Sequence, residues 1–437
     1  MQQRPSRLAP YAAGLVLTGL GISHPSLVGA QTSTPATTPT VTTPTAPATP
    51  AMAAPPTVAG PSSAPPAPKE TPVAPAPYIN VTGEIDGYYQ YQFSDPKGTG
   101  ILRGGRIYAI RHDTPAVRLA WADIYHTPAP GGFGFKVSLA TGDAADRDVP
   151  AAQSGVGESR YKHLAQFYGT YTAANGFTVD IGKYLSPYGY DTTETTLNYN
   201  YTLTDATYLV PNYVFGARAT YPFKSPNLAA SVYVVNSLEE APNLGVEDDG
   251  NNHDVILRLN YTTPDGKFNY IPAYGFGRAK LTASGLDGAD VAPAKGNEDL
   301  VLFDNWLTYH ATRAITIAGE YVYRKDDNRG GNYNRKGDGY GAYYRQQLDS
   351  RNAIALRYSA LTSHTDVIGG APLSTTSFRA DEYTATYEYR AAANFLTRTE
   401  FRHDHSNDAS AFGFDSGSNP APVGSQDALI VAGIFTY

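Results

Sequence analysis

From Tyr78 onward this chain alternates between two chemistries, residue by residue. In the first run Ile79, Val81, Gly83, Ile85, Gly87, Tyr89, Tyr91 and Phe93 hold one parity, and Asn80, Thr82, Glu84, Asp86, Tyr88, Gln90 and Gln92 the other. Successive side chains of an extended strand point to opposite faces, so this run has one apolar and one polar side over a length able to cross a bilayer. The pattern recurs in Ile315, Ile317, Gly319, Tyr321 and Tyr323 against Thr316, Ala318 and Glu320, and in Tyr383, Ala385, Tyr387 and Tyr389 against Glu382, Thr384, Thr386, Glu388 and Arg390. A soluble sandwich also alternates, but its hidden face is rich in Leu, Val and Ile, whereas tyrosine dominates here, often toward the ends of segments where interfacial girdles lie. The 34 Tyr and 42 Gly of the 437 residues suit aromatic strands joined by turns better than helices.

The only long apolar run lies at the extreme N-terminus, so a membrane-embedded fold must be a closed barrel, which satisfies every backbone donor and acceptor in lipid. Outer-membrane barrels pair short turns on one side with long loops on the other. Short joints are expected at Pro128–Gly131, Ala174–Gly176, Lys224–Asn227, Pro264–Gly266, His310–Arg313, Leu348–Arg351 and Ala391–Asn394, with Asn-Gly and Pro-Asp-Gly the most specific. Longer polar stretches lie between them, at 142–161, 237–250, 326–338 and 406–426. With both ends in the periplasm, seven turns imply an antiparallel up-and-down all-β barrel of about 16 strands. Arg106–Arg111 reads either as an extra strand or as a strand end folded back by Asp113-Thr114-Pro115.

Ahead of the barrel, residues 78–437, two segments stand apart. In 1–30, Arg4 and Arg7 precede an apolar stretch from Tyr11 to Ile22, and Val28-Gly29-Ala30 supplies small residues before Gln31, the layout of a cleaved signal peptide. Residues 31–77 are almost entirely Pro, Ala, Thr and Ser, too poor in large apolar surface to offset ordering entropy, and are expected to be a disordered periplasmic tether. At ~3.1 Å per residue it would reach roughly 150 Å when extended, enough to touch the cell wall. A spacer with no partner is an equal reading.

At the other end Leu429, Val431, Gly433, Phe435 and Tyr437 share one parity and finish in an aromatic residue. This terminal strand resembles the signal read by the barrel-assembly machinery of Gram-negative bacteria, so Leu429, Val431, Phe435 and Tyr437 are the expected assembly residues.

One further run carries a resemblance. Asp180-Ile181-Gly182-Lys183-Tyr184-Leu185-Ser186-Pro187-Tyr188-Gly189-Tyr190-Asp191, then Glu194, then Asn198-Tyr199-Asn200-Tyr201-Thr202, is similar to the signature of the OmpL-like β-barrel porin family. Members of that family carry a Gly-Lys-aromatic, a Pro-x-Gly-Tyr-acidic and an Asn-aromatic-Asn-Tyr sequence in this order. Gly87-Tyr88-Tyr89, Gly134-Phe135-Lys136 with Gly142-Asp143, and Gly216–Tyr221 fall in the expected places, so the resemblance spans 78–437. Asp191, Thr202 and Leu203 depart from the usual Glu, Ser and polar or basic residue. The resemblance implies an outer-membrane pore.

By strand counting, 186–211 is the third external loop, which in general porins folds inward and narrows the channel. Its Asp191, Glu194 and Asp205 would then face a lumen that strand parity lines with Arg218, Arg258, Arg345, Arg357, Arg398 and Arg402, and with Glu84, Asp86, Glu320 and Glu388. Opposed carboxylates and guanidinium groups across a narrow aqueous passage sort solutes by charge; the same charges also serve simply to solvate the lumen and pair. Asp123 is the misfit: the alternation Val117, Leu119, Trp121, Asp123, Tyr125 turns it toward lipid unless a bulge intervenes.

A net charge of -7 with no basic face argues against nucleic acid, and zero cysteines exclude disulfides and thiolate metal sites. His403-Asp404-His405 and Asn252-His253-Asp254 do not make a metal site, because neighbouring strand residues point to opposite faces. No nucleophile with a spaced His singles out a hydrolase, and no cofactor motif is present. The expected function is passive diffusion of small hydrophilic solutes through the outer membrane. A non-conducting structural or adhesive barrel tethered toward the wall is the second reading, and a barrel enzyme the third.

Overall fold

The computed structural model describes residues 79–94, 108–148, 163–223, 227–236, 238, 253–279, 298–328, 334–363, 378–409, 411–412 and 421–437. The expected signal peptide and tether, 1–30 and 31–77, lie outside these residues. Among the described residues, sixteen strands run in chain order: β1 Asn80–Gln92, β2 Ala116–His126, β3 Gly132–Thr141, β4 Leu164–Thr172, β5 Thr178–Leu185, β6 Tyr213–Phe223, β7 Leu228–Val235 and β8 Asp254–Thr262. They continue with β9 Phe268–Ala279, β10 Glu298–His310, β11 Ile315–Asn328, β12 Asn334–Gln347, β13 Asn352–Ser363, β14 Phe378–Ala392, β15 Phe395–Ser406 and β16 Ser425–Thr436. Each pairs antiparallel with its sequence neighbours, and β16 pairs with β1 to close the barrel. Gly83 and Tyr437 exchange N–H···O bonds of 3.2 Å in both directions, extending that seam to the last residue.

Six of the short joints fall where the turn residues place them, and residues 224–226 of the joint expected at Lys224–Asn227 lie outside the described residues. At Thr263–Lys267 the Pro-Asp-Gly turn is fixed by Asp265, whose Oδ1 accepts from the Thr263 hydroxyl at 2.6 Å and the Lys267 N–H at 2.9 Å. One expected loop is a correction: β11 continues to Asn328 and β12 starts at Asn334, so most of 326–338 is ladder. Lys325 and Lys336 pair directly across it. Tyr108–Arg111 forms no barrel strand. It lies against β1, where the Tyr88 hydroxyl accepts from the Ile110 and Arg111 N–H groups at 3.0 Å.

Parity sets the two faces as the pattern requires. Ile79, Val81, Ile85, Tyr89, Tyr91 and Phe93 are exposed on the outside, while Glu84, Asp86, Gln90 and Gln92 are buried on the inside. Outward aromatics form a row about midway along β9–β12, Tyr274 to Phe303 at 4.4 Å, Phe303 to Tyr321 at 6.0 Å and Tyr321 to Tyr340 at 5.0 Å between ring centroids. Phe133 with Tyr171, and Tyr221 with Phe223, lie toward the short-turn end. Such outward aromatic rows mark a lipid-crossing band. Among the described residues no helix is long and apolar enough to cross a membrane; here the strands span.

The Asp123 misfit resolves as a bulge. Asp86 pairs with Leu119 and Gly87 with Val117, so Arg118 is the extra residue and parity flips after it. Leu119, Trp121 and Asp123 therefore turn inward. Asp123 there accepts from Trp121 Nε1 at 2.9 Å and the Ser138 hydroxyl at 2.5 Å, and pairs with Lys136 at 2.9 Å.

Candidate functional site

The connection from β5 to β6, residues 186–212, occupies the barrel interior. Its neck is closed by the Ser186 N–H donating to the Asn212 carbonyl at 3.0 Å. From there it meets inward faces of strands on opposite walls. Gly189 N–H donates to Asp304 on β10 at 2.6 Å, and Tyr190 N–H to Glu320 on β11 at 2.7 Å. At the far side Thr195 and Thr196 donate backbone N–H groups to Glu84 on β1 at 2.6 and 3.1 Å. Tyr201 and Thr202 do the same to Glu400 on β15, at 2.5 and 3.0 Å.

The signature residues are the ones that make this path. Gly189 sits at φ +90°, in the left-handed region that only glycine enters at little cost, and its N–H bonds Asp304 from that conformation. Gly182 has φ +148°, and a side chain there would collide with the Phe167 carbonyl of the neighbouring strand. Asn198 and Thr192 bond each other through amide and backbone at 2.9 and 2.7 Å, folding the loop on itself. Tyr199 packs with Ala318, Tyr343 and Ala355, Asn200 donates to Thr386 at 2.7 Å, and the Tyr201 hydroxyl donates to Asp86 at 2.9 Å. Thr204 caps the short turn Asp205–Leu209. The segment 186–212 contains no Lys or Arg, so its acidic side chains rely on the wall for counter-charges.

Two wall arginines supply most of them, and a third, Arg398, holds loop carbonyls. Arg357 on β13 pairs with Glu382 at 2.7 Å and Asp191 at 3.1 Å, and donates to the carbonyls of Thr202 and Leu203. Arg402 on β15 pairs with Asp205 at 2.6 Å and Asp404 at 2.7 Å, and donates to the Leu203 carbonyl at 2.8 Å. Arg398 pairs with Glu388 at 2.9 Å and donates to the carbonyls of Thr195, Asn198 and Asn200 at 2.8, 2.7 and 3.3 Å. Arg345 pairs with Glu388 at 3.1 Å. Arg218 pairs with Asp180 at 2.7 Å, its guanidinium over the ring of Tyr184. Arg258 is buried on β8, in the row that runs through Ala273 to Asp304.

Asp191 and Asp205 therefore touch guanidinium groups directly, the paired arrangement of the two read from the sequence rather than charges opposed across a gap. Glu194 differs. It is buried near Lys136, Asp123 and Glu84; burial pushes its carboxyl up to about 8, Lys136 opposing and the two acids adding to the rise. Burial likewise lifts Asp191 to about 6, with Arg357 and the Thr204 N–H pulling the other way. His403 bonds Asp427 at 2.7 Å on the outer face, whereas Asp404 faces inward to Arg402, so these neighbours do not converge.

Strand parity did not find Arg118, which the bulge turns inward to bond Asp86 at 3.2 Å and the Thr195 hydroxyl. The lumen charges named from the sequence also left out Asp180, Asp304, Glu382, Glu400 and Asp404, although Glu382 stood on the polar parity of its strand. Glu382 and Glu400 lie on inward parities of β14 and β15, so a full parity count of those two strands would have found them. Asp304 sits between apolar residues of both parities, which leaves β10 without a readable face.

With this geometry the comparisons take on meaning. Residues 78–437 match the sequence profile of the family described as "Putative beta-barrel porin-2, OmpL-like". The chain belongs to this family. No curated sequence matches it. Among solved structures, OmpT, an outer membrane protein of Vibrio cholerae, aligns over 84% of this chain and 100% of its own with TM-score 0.52 and 11% identity. The outer membrane channel DcaP of Acinetobacter baumannii aligns over 82% and 97%, with TM-score 0.52 and 11% identity. At such identity the likeness is one of fold. This OmpL-like porin is an outer-membrane barrel in contact with lipid, and the interior loop is its candidate functional site.

Proposed function

We propose that this barrel is a non-enzymatic, porin-like channel for passive diffusion of small hydrophilic solutes, with the third loop setting size and charge preference. The observation that carries the reading is the stitching of 186–212 to inward residues of β1, β10, β11, β13 and β15, which seats one segment across the passage. A segment held from opposite walls narrows the aperture, and the charges left beside it, from Arg345 and Lys136 among others, set the local field. Export by cleavage after residue 30, a periplasmic arm at 31–77, and recognition of Leu429, Val431, Phe435 and Tyr437 by the assembly machinery belong to the same reading. All four terminal-strand residues are exposed on the lipid side of β16, open to such a partner.

A second reading, a closed structural barrel with a wall-directed arm, is favoured by the near-complete burial of the inward charges Arg118, Arg402, Asp304 and Glu400. Planar-bilayer recording of the refolded protein with a salt gradient separates the two. Discrete conductance steps with a non-zero reversal potential support the channel; an electrically silent, correctly folded barrel supports the closed reading.

A further inference from the structure

The first long loop, which joins β1 to β2, also enters the barrel. Its residues Tyr108–His112 run along the inner face of β1 and are held there by inward side chains and main chain of that strand. The Tyr88 hydroxyl, which accepts from the Ile110 and Arg111 N–H groups, donates to Asp143 at 2.9 Å. Gln90 Nε2 donates to the carbonyls of Ala109 and Arg111 at 3.4 and 3.2 Å, and the Gln92 N–H to His112 Nδ1 at 3.1 Å. Arg111 pairs at 3.0 Å with Asp143, the first residue of the short helix α1, Asp143–Asp148, in the second long loop. Asp113 then turns the chain away at φ +49°, a conformation that a short polar side chain tolerates, with its N–H on the Gln90 carbonyl at 2.8 Å.

Arg118 joins this segment to the third loop. The bulge in β2 turns its guanidinium inward, where it is fully buried and meets Asp86 at 3.2 Å and the Thr195 hydroxyl. Its Nε and Nη2 find no hydrogen-bond acceptor among the described residues. Two ring faces stand in for one: Tyr108 from the first long loop and Tyr201 from the third, each with its centroid 5.3 Å from the guanidinium carbon. The attraction of a cation for a ring face is strongest where water is shut out, so this buried arginine holds both rings in place. The Tyr108 hydroxyl also lies 3.3 Å from that of Thr193, and its ring packs in one cluster with Leu119, Trp121, Leu185 and Leu203.

We propose that the constriction is built from two loops: Tyr108–His112 fills the β1–β3 side of the passage, and Tyr108 positions the third loop through Arg118. The proposal rests on the channel reading. With one ring from each loop on a single guanidinium, neither loop shifts without uncovering a face of that cation, so freeing the first also unseats Thr193–Tyr201. Arg111 is the accessible end of the latch, its side chain 37% exposed against 4% for Asp143.

The test compares wild type, Tyr108→Phe, Leu119→Ala and the double variant Tyr108→Ala with Arg111→Ala, each full-length, refolded in detergent and recorded in planar bilayers. Leu119 belongs to the wall side of the same cluster, so its truncation opens a cavity while leaving the loop's hydrogen bonds in place. The double variant should switch between the wild-type level and a higher one populated about fivefold more than in wild type, and should admit larger polyethylene glycols. Tyr108→Phe keeps the ring over Arg118 and should stay at the wild-type level, as should Leu119→Ala. If the double variant does not fold, Arg111→Gln takes its place, with a smaller shift in the same direction. A double variant that matches wild type, or a second level as frequent in Leu119→Ala, would overturn the two-loop constriction and leave the channel standing. A silent wild type beside a conducting double variant would support the first loop as part of the closure. Silence in all four would remove the channel reading and the constriction with it.

Discussion

Glu400 grips Thr202 through a single carboxylate oxygen, which accepts the Thr202 N–H at 3.0 Å and its hydroxyl at 2.6 Å. Glu84 makes the matching arrangement with Thr196 from the opposite side of the seam, at 3.1 and 2.6 Å. Each is a fixed anion gripped by backbone donors, and together with β1 and β15 they hold the middle of the loop. Replacing both, Glu84→Ala with Glu400→Ala, removes charge-assisted bonds worth about 1.5–3 kcal/mol each. The expected outcome is a larger and noisier single-channel conductance with the barrel still heat-modifiable on gels. Unchanged conductance would show that these carboxylates do not seat the loop.

Arg357 joins Glu382, Asp191 and two loop carbonyls, so Arg357→Ala leaves buried Asp191 without its cation and Glu382 with Arg402 alone, at 3.7 Å. A loss of about 3–5 kcal/mol is expected, read as a lower unfolding midpoint in denaturant. Arg357→Lys keeps the charge but not the planar fork, and should recover part of the stability while still loosening Leu203. Equal midpoints for all three proteins would contradict the hub role.

The Glu194 carboxyl gives a pH dependence with a definite sign. Its folded value, about 8, lies above the ordinary 4.5, so the seated loop favours the protonated form. That contribution is complete below the ordinary value and is lost as pH rises through about 8. Conductance and cation preference should therefore rise between pH 6.5 and 9 as an anion forms beside Asp123 and Glu84. In Glu194→Gln the reversal potential should stay flat over that window; a slope as steep as in wild type would assign the effect elsewhere.

Removing Phe435 to Tyr437 deletes the Gly83–Tyr437 pair and the Ile85–Phe435 register point that seal β1 to β16. An unsealed barrel leaves unpaired backbone groups in lipid, at several kcal/mol each. The truncated chain should accumulate as non-heat-modifiable protein outside the outer membrane. A normal folded band in the outer-membrane fraction would refute this.

Much of the wall was legible because its physics is local. Period two and turn chemistry depend on a few adjacent residues, so six of the joints and the lumen-facing Glu84, Asp86, Glu320, Arg357 and Arg402 could be read directly. The bulge at Arg118 could not: Leu119 and Trp121 continue the apolar alternation, and the flip shows only because Asp123 then has a home with Lys136. The partners of the loop were equally hidden. Thr202 meets Arg357 and Glu400 across more than a hundred and fifty residues of chain, and no spacing encodes that meeting. The loop's path came from strand counting and analogy with general porins, whereas its anchors are tertiary facts.

Most bonds between wall and loop end on main-chain atoms: the N–H groups of Gly189, Tyr190, Thr195, Thr196, Tyr201 and Thr202, and the carbonyls of Asn198, Asn200 and Leu203. A clamp that reads the course of the backbone is largely indifferent to the side chains hung on it. A position such as Tyr188, left open between the Pro and Gly of the family signature, is thus free to drift from one descendant to the next, retuning what passes while the scaffold that grips it stays the same.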